Sequence, residues 1–140
     1  MLIAHRGIFN EVVKENTIPA FLGAINNPDY AGFELDIYNS SDNHDPLVNG
    51  KFIWKQPYKE LKKHGLIKLE DVLKLKTNKI ILIEIKDINI DTIQLTKLLN
   101  KYKTKNIYVM SFFNSVIKKI NNNLFKIGIL NYILNSTTTY

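Results

Sequence analysis

The sequence predicts an α/β protein whose helices cover a parallel β-sheet. Short apolar runs alternate with amphipathic stretches about five times along the chain, as in consecutive βαβ units. The clearest run, residues 79–86, is aliphatic almost throughout, which is typical of a strand buried on both faces. Charged residues lie where these runs end, and the chemistry of parallel α/β sheets gathers at the carboxyl ends of the strands.

The first strand–helix unit begins at the amino terminus. The apolar residues 2–4 predict a buried strand that ends at His5, Arg6 and Gly7. A polar loop leads to Asn16, which we predict to be the N-cap of the following amphipathic helix. Residues 26–29 combine asparagine, proline and aspartate, a composition that ends a helix.

The remaining units follow the same pattern. Residues 33–37 predict the second strand, in which alternation places Glu34 and Asp36 on one face and the apolar side chains on the other. After a turn and an irregular segment, short helices are predicted for residues 57–63 and 69–75. The later elements are a strand at 79–86, a helix at 90–102, a strand at 107–112, a helix at 116–120 and a strand at 125–130.

The composition argues against several classes of protein. The chain has no cysteine, so it forms neither disulfides nor thiolate metal sites. Its net charge of +6 comes from lysines scattered over the polar faces of the predicted helices, which favours solvated surface over a nucleic-acid-binding stripe. No apolar run is long enough to cross a membrane, and the first strand leaves no room for a secretory signal, so we expect a cytoplasmic protein.

Three carboxylates form a candidate metal site. Glu34 and Asp36 lie on one face of the same strand, about 6 to 7 Å apart, and would repel each other if buried alone. Together with Glu84 at the end of a neighbouring strand, they could supply three oxygen ligands to Ca²⁺ or Mg²⁺. The alternative is that they are carboxylates at the rim of the sheet that pair with Arg6 and Lys86.

Two histidines could complete a catalytic site. His5 follows the first strand, and His44 lies in the loop after the strand that contains Glu34 and Asp36. Two imidazoles beside a metal ion and a guanidinium suit acid–base chemistry on a phosphate ester. The alternative is that a histidine at a strand end is only a hydrogen-bonded packing residue.

Taken in order, these residues resemble the motifs of the glycerophosphodiester phosphodiesterase family. No single motif is specific, but their ordered combination at predicted strand ends and loops is strong, and the resemblance extends over essentially the whole chain. The motifs are His5-Arg6-Gly7, Glu15-Asn16-Thr17, Glu34-Leu35-Asp36, His44-Asp45, Glu84-Ile85-Lys86, Met110-Ser111-Phe112 and Gly128-Ile129-Leu130.

This resemblance implies a TIM barrel that hydrolyses glycerophosphodiesters to glycerol phosphate and an alcohol with the help of a divalent metal ion. Related barrels cleave lysophospholipids, which is a second candidate substrate class. By resemblance, the general acid and base are His5 and His44, and the Ca²⁺ or Mg²⁺ ligands are Glu34, Asp36 and Glu84. The substrate-binding residues are Arg6 and Lys86, which neutralise the phosphate, and Glu15, which supports the first loop near the metal.

The chain departs from the family pattern in two ways. His44 follows Asp36 after a shorter loop than the family has, which leaves the orientation of its ring unsupported. A TIM barrel needs eight strands and typically about 250 residues, whereas about five strand–helix units are predicted here. We therefore expect residues 1–140 to form a single, incomplete domain with a truncated TIM-barrel-type parallel sheet. Its opening is covered by a second copy or by a missing C-terminal segment, or the sheet closes in a way unlike that of the family. The alternative function is a barrel that binds a metal, a phosphate ester or a partner chain without turnover.

Overall fold

The protein is built on one mixed β-sheet flanked by helices. The computed structural model describes residues 1–42, 46–49, 56–120 and 126–129. The seven strands are β1 (Leu2–Ala4), β2 (Tyr30–Asn39), β3 (Pro46–Val48), β4 (Ile67–Lys68), β5 (Ile80–Ile85), β6 (Ile107–Ser111) and β7 (Lys126–Ile129). The helices are α1 (Ile18–Asn26), α2 (Tyr58–Lys63), α3 (Leu69–Leu73), α4 (Thr92–Lys101) and α5 (Asn114–Ile120).

The long strand β2 is the hub of this sheet. One of its edges pairs in parallel with β5 along residues 32–37, and β6 and β7 continue the parallel order beyond β5. At residues 30–33 β2 also pairs in parallel with β1, and at residues 37–39 it pairs with β3, which runs antiparallel. The short strand β4 pairs antiparallel with β3. Among the described strands, three are therefore hydrogen-bonded directly to β2.

The prediction of a TIM-barrel-type parallel sheet made of about five strand–helix units is wrong. The sheet is mixed because β3 and β4 run antiparallel to their neighbours, and these two strands with α2 and α3 interrupt the strand–helix alternation between β2 and β5. The strand order runs from β4 to β7, and no pairing within the described ranges closes it into a ring. β3 lies where an irregular segment is predicted, and β4 lies between the two predicted short helices. Strands of three and two residues are too short to show a period.

The two faces of β2 and β5 carry different kinds of side chain, apolar on one and acidic on the other. Alternate residues of each strand pack under the helices with no solvent exposure, and Phe33 on this face stacks on Phe21 of α1 with ring centroids 4.8 Å apart. Burying each such large side chain stabilises the fold by about 1.5 to 3 kcal/mol. The fully buried members are Phe33, Leu35, Ile37, Ile81, Ile83 and Ile85. Strand alternation therefore directs Glu34, Asp36 and Glu84 to the opposite face.

None of the helices in the described part of the chain has the length and apolarity needed to span a bilayer.

A lysine at the start of β5 holds the end of α1. The Lys79 Nζ donates hydrogen bonds to the backbone oxygens of Ala24, at 2.8 Å, and Asn27, at 2.6 Å. The last turn of α1 contains no basic residue of its own, so Lys79 supplies the cation that suits a helix C-terminus. This contact joins α1 to the sheet at the end opposite the carboxylates.

Replacing this lysine should destabilise the fold measurably. Lys79→Met removes a charged donor from two carbonyl oxygens, so we expect the free energy of unfolding to fall by about 1 to 2 kcal/mol. Urea denaturation of the two proteins measures the change. Lys76→Met, at an exposed lysine of the same connection, is the control and should leave the midpoint unchanged. Equal midpoints for Lys79→Met and the parent protein would contradict a stabilising role.

Candidate metal centre

The turn after β1 brings the first loop onto the neighbouring strand. Arg6 and Gly7 both have positive φ angles, 59° and 81°, and the Gly7 amide donates to the Ala4 carbonyl at 3.1 Å. A Cβ atom at Gly7 would lie 2.6 Å from the Ala20 carbonyl carbon, so only glycine fits. The reversal aims the Arg6 backbone amide at Glu34, whose Oε2 accepts its hydrogen bond at 3.0 Å. Left-handed backbone at a non-glycine residue is typical of functional loops.

Three carboxylates meet beside this turn. Asp36 lies opposite Glu84 in the parallel register of β2 and β5, and Glu34 precedes Asp36 by one strand repeat on the same face. One oxygen from each of the three side chains lies within 4.8 Å of the other two, and the residues are only 3%, 0% and 5% exposed for Glu34, Asp36 and Glu84. Carboxylate oxygens are the ligands that Ca²⁺ and Mg²⁺ prefer. This buried acidic cluster could hold a metal ion.

Two cationic side chains also reach the cluster. The Arg6 Nε lies 2.9 Å from Asp36 Oδ2, although its N–H is not aimed at that oxygen, so the contact is an ion pair rather than a hydrogen bond. The Lys86 Nζ lies 2.6 Å from Glu84 Oε1 and 3.5 Å from Asp36 Oδ1. Burial opposes both charges, but the neighbouring carboxylates raise the pKa of Arg6 and of Lys86, so both remain charged.

One carboxylate is left without compensation. Two cations face three carboxylates, and the buried Glu34 Oε1 has no hydrogen-bond partner among the described residues. Burial and the adjacent Asp36 raise the pKa of Glu34 to about 8, despite the opposing hydrogen bond from the Arg6 amide. A divalent cation would bind this oxygen and favour the ionised form of Glu34, so the donor set fits Ca²⁺ or Mg²⁺.

The other predicted site residues are distributed unevenly around the cluster. The His5 side chain is 68% exposed, and its Nε2 lies 3.8 Å from Glu34 Oε2 at the edge of the cluster. Glu15 contacts Arg6 instead of the carboxylates, since its two oxygens accept from Arg6 Nη1 at 3.1 and 3.3 Å. His44 lies outside the described residues. The catalytic and substrate-binding roles of these residues remain predictions.

Two further residues lie at the site. The prediction of Asn16 as a helix N-cap is wrong: the N-cap position is Thr17, which makes no side-chain capping bond, and the Asn16 carboxamide contacts Asp36 instead. Tyr38 follows Glu34 and Asp36 on the same face of β2, and burial together with Asp36 raises the pKa of its hydroxyl. The predicted strand ends at residue 37, and continuing its alternation by one residue would have indicated the face of Tyr38, whereas no local pattern identifies the contact of Asn16.

Comparisons with known proteins give a structural similarity alone. No protein-family model matches the chain, and no curated protein matches it. A crystal structure of the glycerophosphoryl diester phosphodiesterase domain of an uncharacterized Mycobacterium tuberculosis protein superposes with a TM-score of 0.66. The chain resembles that domain in fold. The alignment has 14% sequence identity and covers 91% of this chain, which spans 59% of the length of the other. At this identity the similarity establishes the fold only.

The raised pKa of Glu34 predicts a decline in stability with rising pH. A folded-state pKa of about 8, against an ordinary value of 4.5, means that the folded state binds more protons between these values. The contribution of the protonated Glu34 side chain to the free energy of unfolding is therefore complete below pH 4.5 and is lost as the pH rises to about 8. In Glu34→Gln, the fall in the free energy of unfolding over this pH range should be smaller by roughly 2 to 4 kcal/mol than in the parent protein. Urea denaturation between pH 5 and 9 in the presence of EDTA measures it.

Glu60→Gln is the control for this experiment, because Glu60 is an exposed carboxylate of α2 paired with Lys63. That variant should retain the decline of the parent protein. An equally steep decline in Glu34→Gln would show that Glu34 ionises in the folded protein as it does in the unfolded chain.

Proposed function

We propose that this chain is a metal-dependent phosphodiesterase of the glycerophosphodiester phosphodiesterase family, which hydrolyses glycerophosphodiesters to glycerol phosphate and an alcohol. The observation that supports the proposal best is the trio of buried carboxylates, whose oxygens lie within 4.8 Å of one another with two cations beside them. The ordered motifs in the sequence and the similarity in fold to a glycerophosphoryl diester phosphodiesterase domain point to the same family.

In the proposed reaction, a Ca²⁺ or Mg²⁺ ion would be held by Glu34, Asp36 and Glu84. A divalent ion, when bound, supplies electrostatic stabilisation to the phosphate and its developing negative charge. Arg6 and Lys86 bind the non-bridging phosphate oxygens, since both are cationic and both contact Asp36.

Proton transfer is assigned to the histidines. The exposed His5 Nε2 at the edge of the cluster is free to approach a substrate oxygen, where it could give or take a proton. His44 is the second acid–base residue, and its assignment rests on the sequence resemblance alone.

Turnover should depend on the acidic cluster and on His5. With Ca²⁺ or Mg²⁺, the purified protein should release glycerol phosphate from glycerophosphocholine, measured with a coupled enzymatic assay. Glu84→Gln keeps the side-chain shape but removes a ligand charge, and should reduce the rate to background. His5→Ala should reduce it by about 10²- to 10⁴-fold, the usual contribution of a general acid or base. Glu60→Gln, on the exposed surface of α2, should retain full activity. A rate that His5→Ala leaves unchanged would rule out the assigned chemistry.

A second candidate function is binding without turnover. The ion pairs of Arg6 with Asp36 and of Lys86 with Glu84, at 2.9 and 2.6 Å, already compensate two of the three carboxylates. The same contacts could therefore serve only to stabilise the sheet, or to bind a metal ion or phosphate ester that is not cleaved. A protein that binds the ion tightly and releases no glycerol phosphate would favour this function.

Metal binding by itself should stabilise the folded protein. For a Kd of about 10 µM, 1 mM Ca²⁺ or Mg²⁺ should raise the free energy of unfolding by about 2.7 kcal/mol, because only the folded chain presents the three carboxylates together. Urea denaturation with and without the ion measures the effect. Glu84→Gln should abolish the increase, and Glu60→Gln should retain it. The absence of any increase in the parent protein would refute the metal site.

A further inference from the structure

We propose that Asn16 is a positioning residue for the metal site, which it serves by fixing the carboxylate of Asp36. This inference rests on the proposed function, since it concerns the same three ligands. Asn16 is 8% exposed and lies in the loop between β1 and α1, twenty positions before Asp36 in the chain.

The carboxamide of Asn16 contacts Asp36 at two points. Its Nδ2 donates to Asp36 Oδ2 at 3.2 Å, and its Oδ1 accepts from the Asp36 backbone amide at 3.2 Å. Both the side chain and the backbone of Asp36 are therefore bound by one planar group. The Asn16 backbone amide in turn donates to the Arg6 carbonyl at 3.0 Å, which ties the contact to the turn after β1.

The two oxygens of Asp36 have different neighbours. Oδ2 accepts from the Asn16 amide and lies 2.9 Å from Arg6 Nε. Oδ1 lies 3.5 Å from Lys86 Nζ and has no hydrogen-bond partner in the described ranges. A carboxylate held in this way cannot rotate freely about its last torsion. The Asp36 carboxylate is thus held in one orientation within the acidic cluster before any ion arrives, which is the role that hydrogen-bonded partners behind metal ligands play in general.

The backbone at Asn16 explains why asparagine is suited to this position. Its φ angle is 55°, in the left-handed region where asparagine is among the few side chains that are tolerated. Glycine also adopts this backbone conformation readily, so Asn16→Gly should keep the loop conformation and remove the carboxamide alone.

The test compares ion binding in three proteins by isothermal titration calorimetry with Ca²⁺. Asn16→Gly should weaken the Kd by about 10- to 100-fold, the usual effect of removing a group that orients a metal ligand. The matched control is Asn10→Gly in the same loop, because the Asn10 Oδ1 accepts from the amides of Val12 and Val13 and makes no contact with the carboxylates in the described structure. A role in loop stability alone would affect both variants, or neither.

The result that would overturn the inference is an unchanged Kd in a folded Asn16→Gly protein, or an equal weakening in Asn10→Gly. These outcomes leave the proposed function intact, since the parent protein still binds the ion. A parent protein that binds neither Ca²⁺ nor Mg²⁺ would refute the metal site and the positioning role together.

The parent protein offers a second measurement that does not require a folded variant. In ¹⁵N-edited NMR spectra, the side-chain NH₂ signals of Asn16 should shift as Ca²⁺ is added, because the amide is bonded to a ligand of the ion. The signals of Asn10 should stay in place. Asn16 signals that do not respond to saturating Ca²⁺ would contradict the proposal.

Discussion

The burial of three carboxylates side by side is the constraint on which the rest of the site depends. Removing several negative charges from water is unfavourable unless each finds a partner. Glu34 receives the Arg6 backbone amide, Asp36 receives the Asn16 carboxamide and the Arg6 guanidinium, and Glu84 receives Lys86. The left-handed turn after β1 and the loop that follows it thus supply hydrogen-bond donors to the two carboxylates of β2. One oxygen of each carboxylate has no hydrogen-bond partner among the described residues, and these three oxygens mark where a cation would be stabilising.

The sheet holds this site firmly because the same strands form the core. On β2 and β5, one face consists of fully buried aliphatic and aromatic side chains beneath the helices, and the other presents the acidic residues. Side chains on paired strands are positioned more accurately than side chains on loops. The donors come from outside the strands: Lys86 directly follows β5, and Arg6 and Asn16 lie in the loop after β1, where the Asn16 backbone amide donates to the Arg6 carbonyl.

The sequence predicts those parts of this arrangement that depend on local periodicity, and it does not predict those that depend on tertiary pairing. The period of two in residues 33–37 places Glu34 and Asp36 on one face because alternation is intrinsic to a strand. β3 and β4 have too few residues to show a period, and without them the predicted fold class is wrong. The pairing of Asp36 with Glu84 depends on the strand register, which is a tertiary property. Local rules favour Asn16 as a helix cap because they cannot anticipate a partner twenty positions away.

The position of β2 between other strands limits how its backbone amides can become exposed to solvent. Its ten residues have β1 and β3 along successive parts of the strand and β5 as a third neighbour, so no described stretch of it can separate without breaking pairings to other strands. Amide protons within β2 should therefore exchange with solvent only when the whole domain unfolds, whereas those of the surrounding loops exchange through small local fluctuations. Glu34 and Asp36 therefore belong to the segment that we expect to exchange most slowly among the described residues.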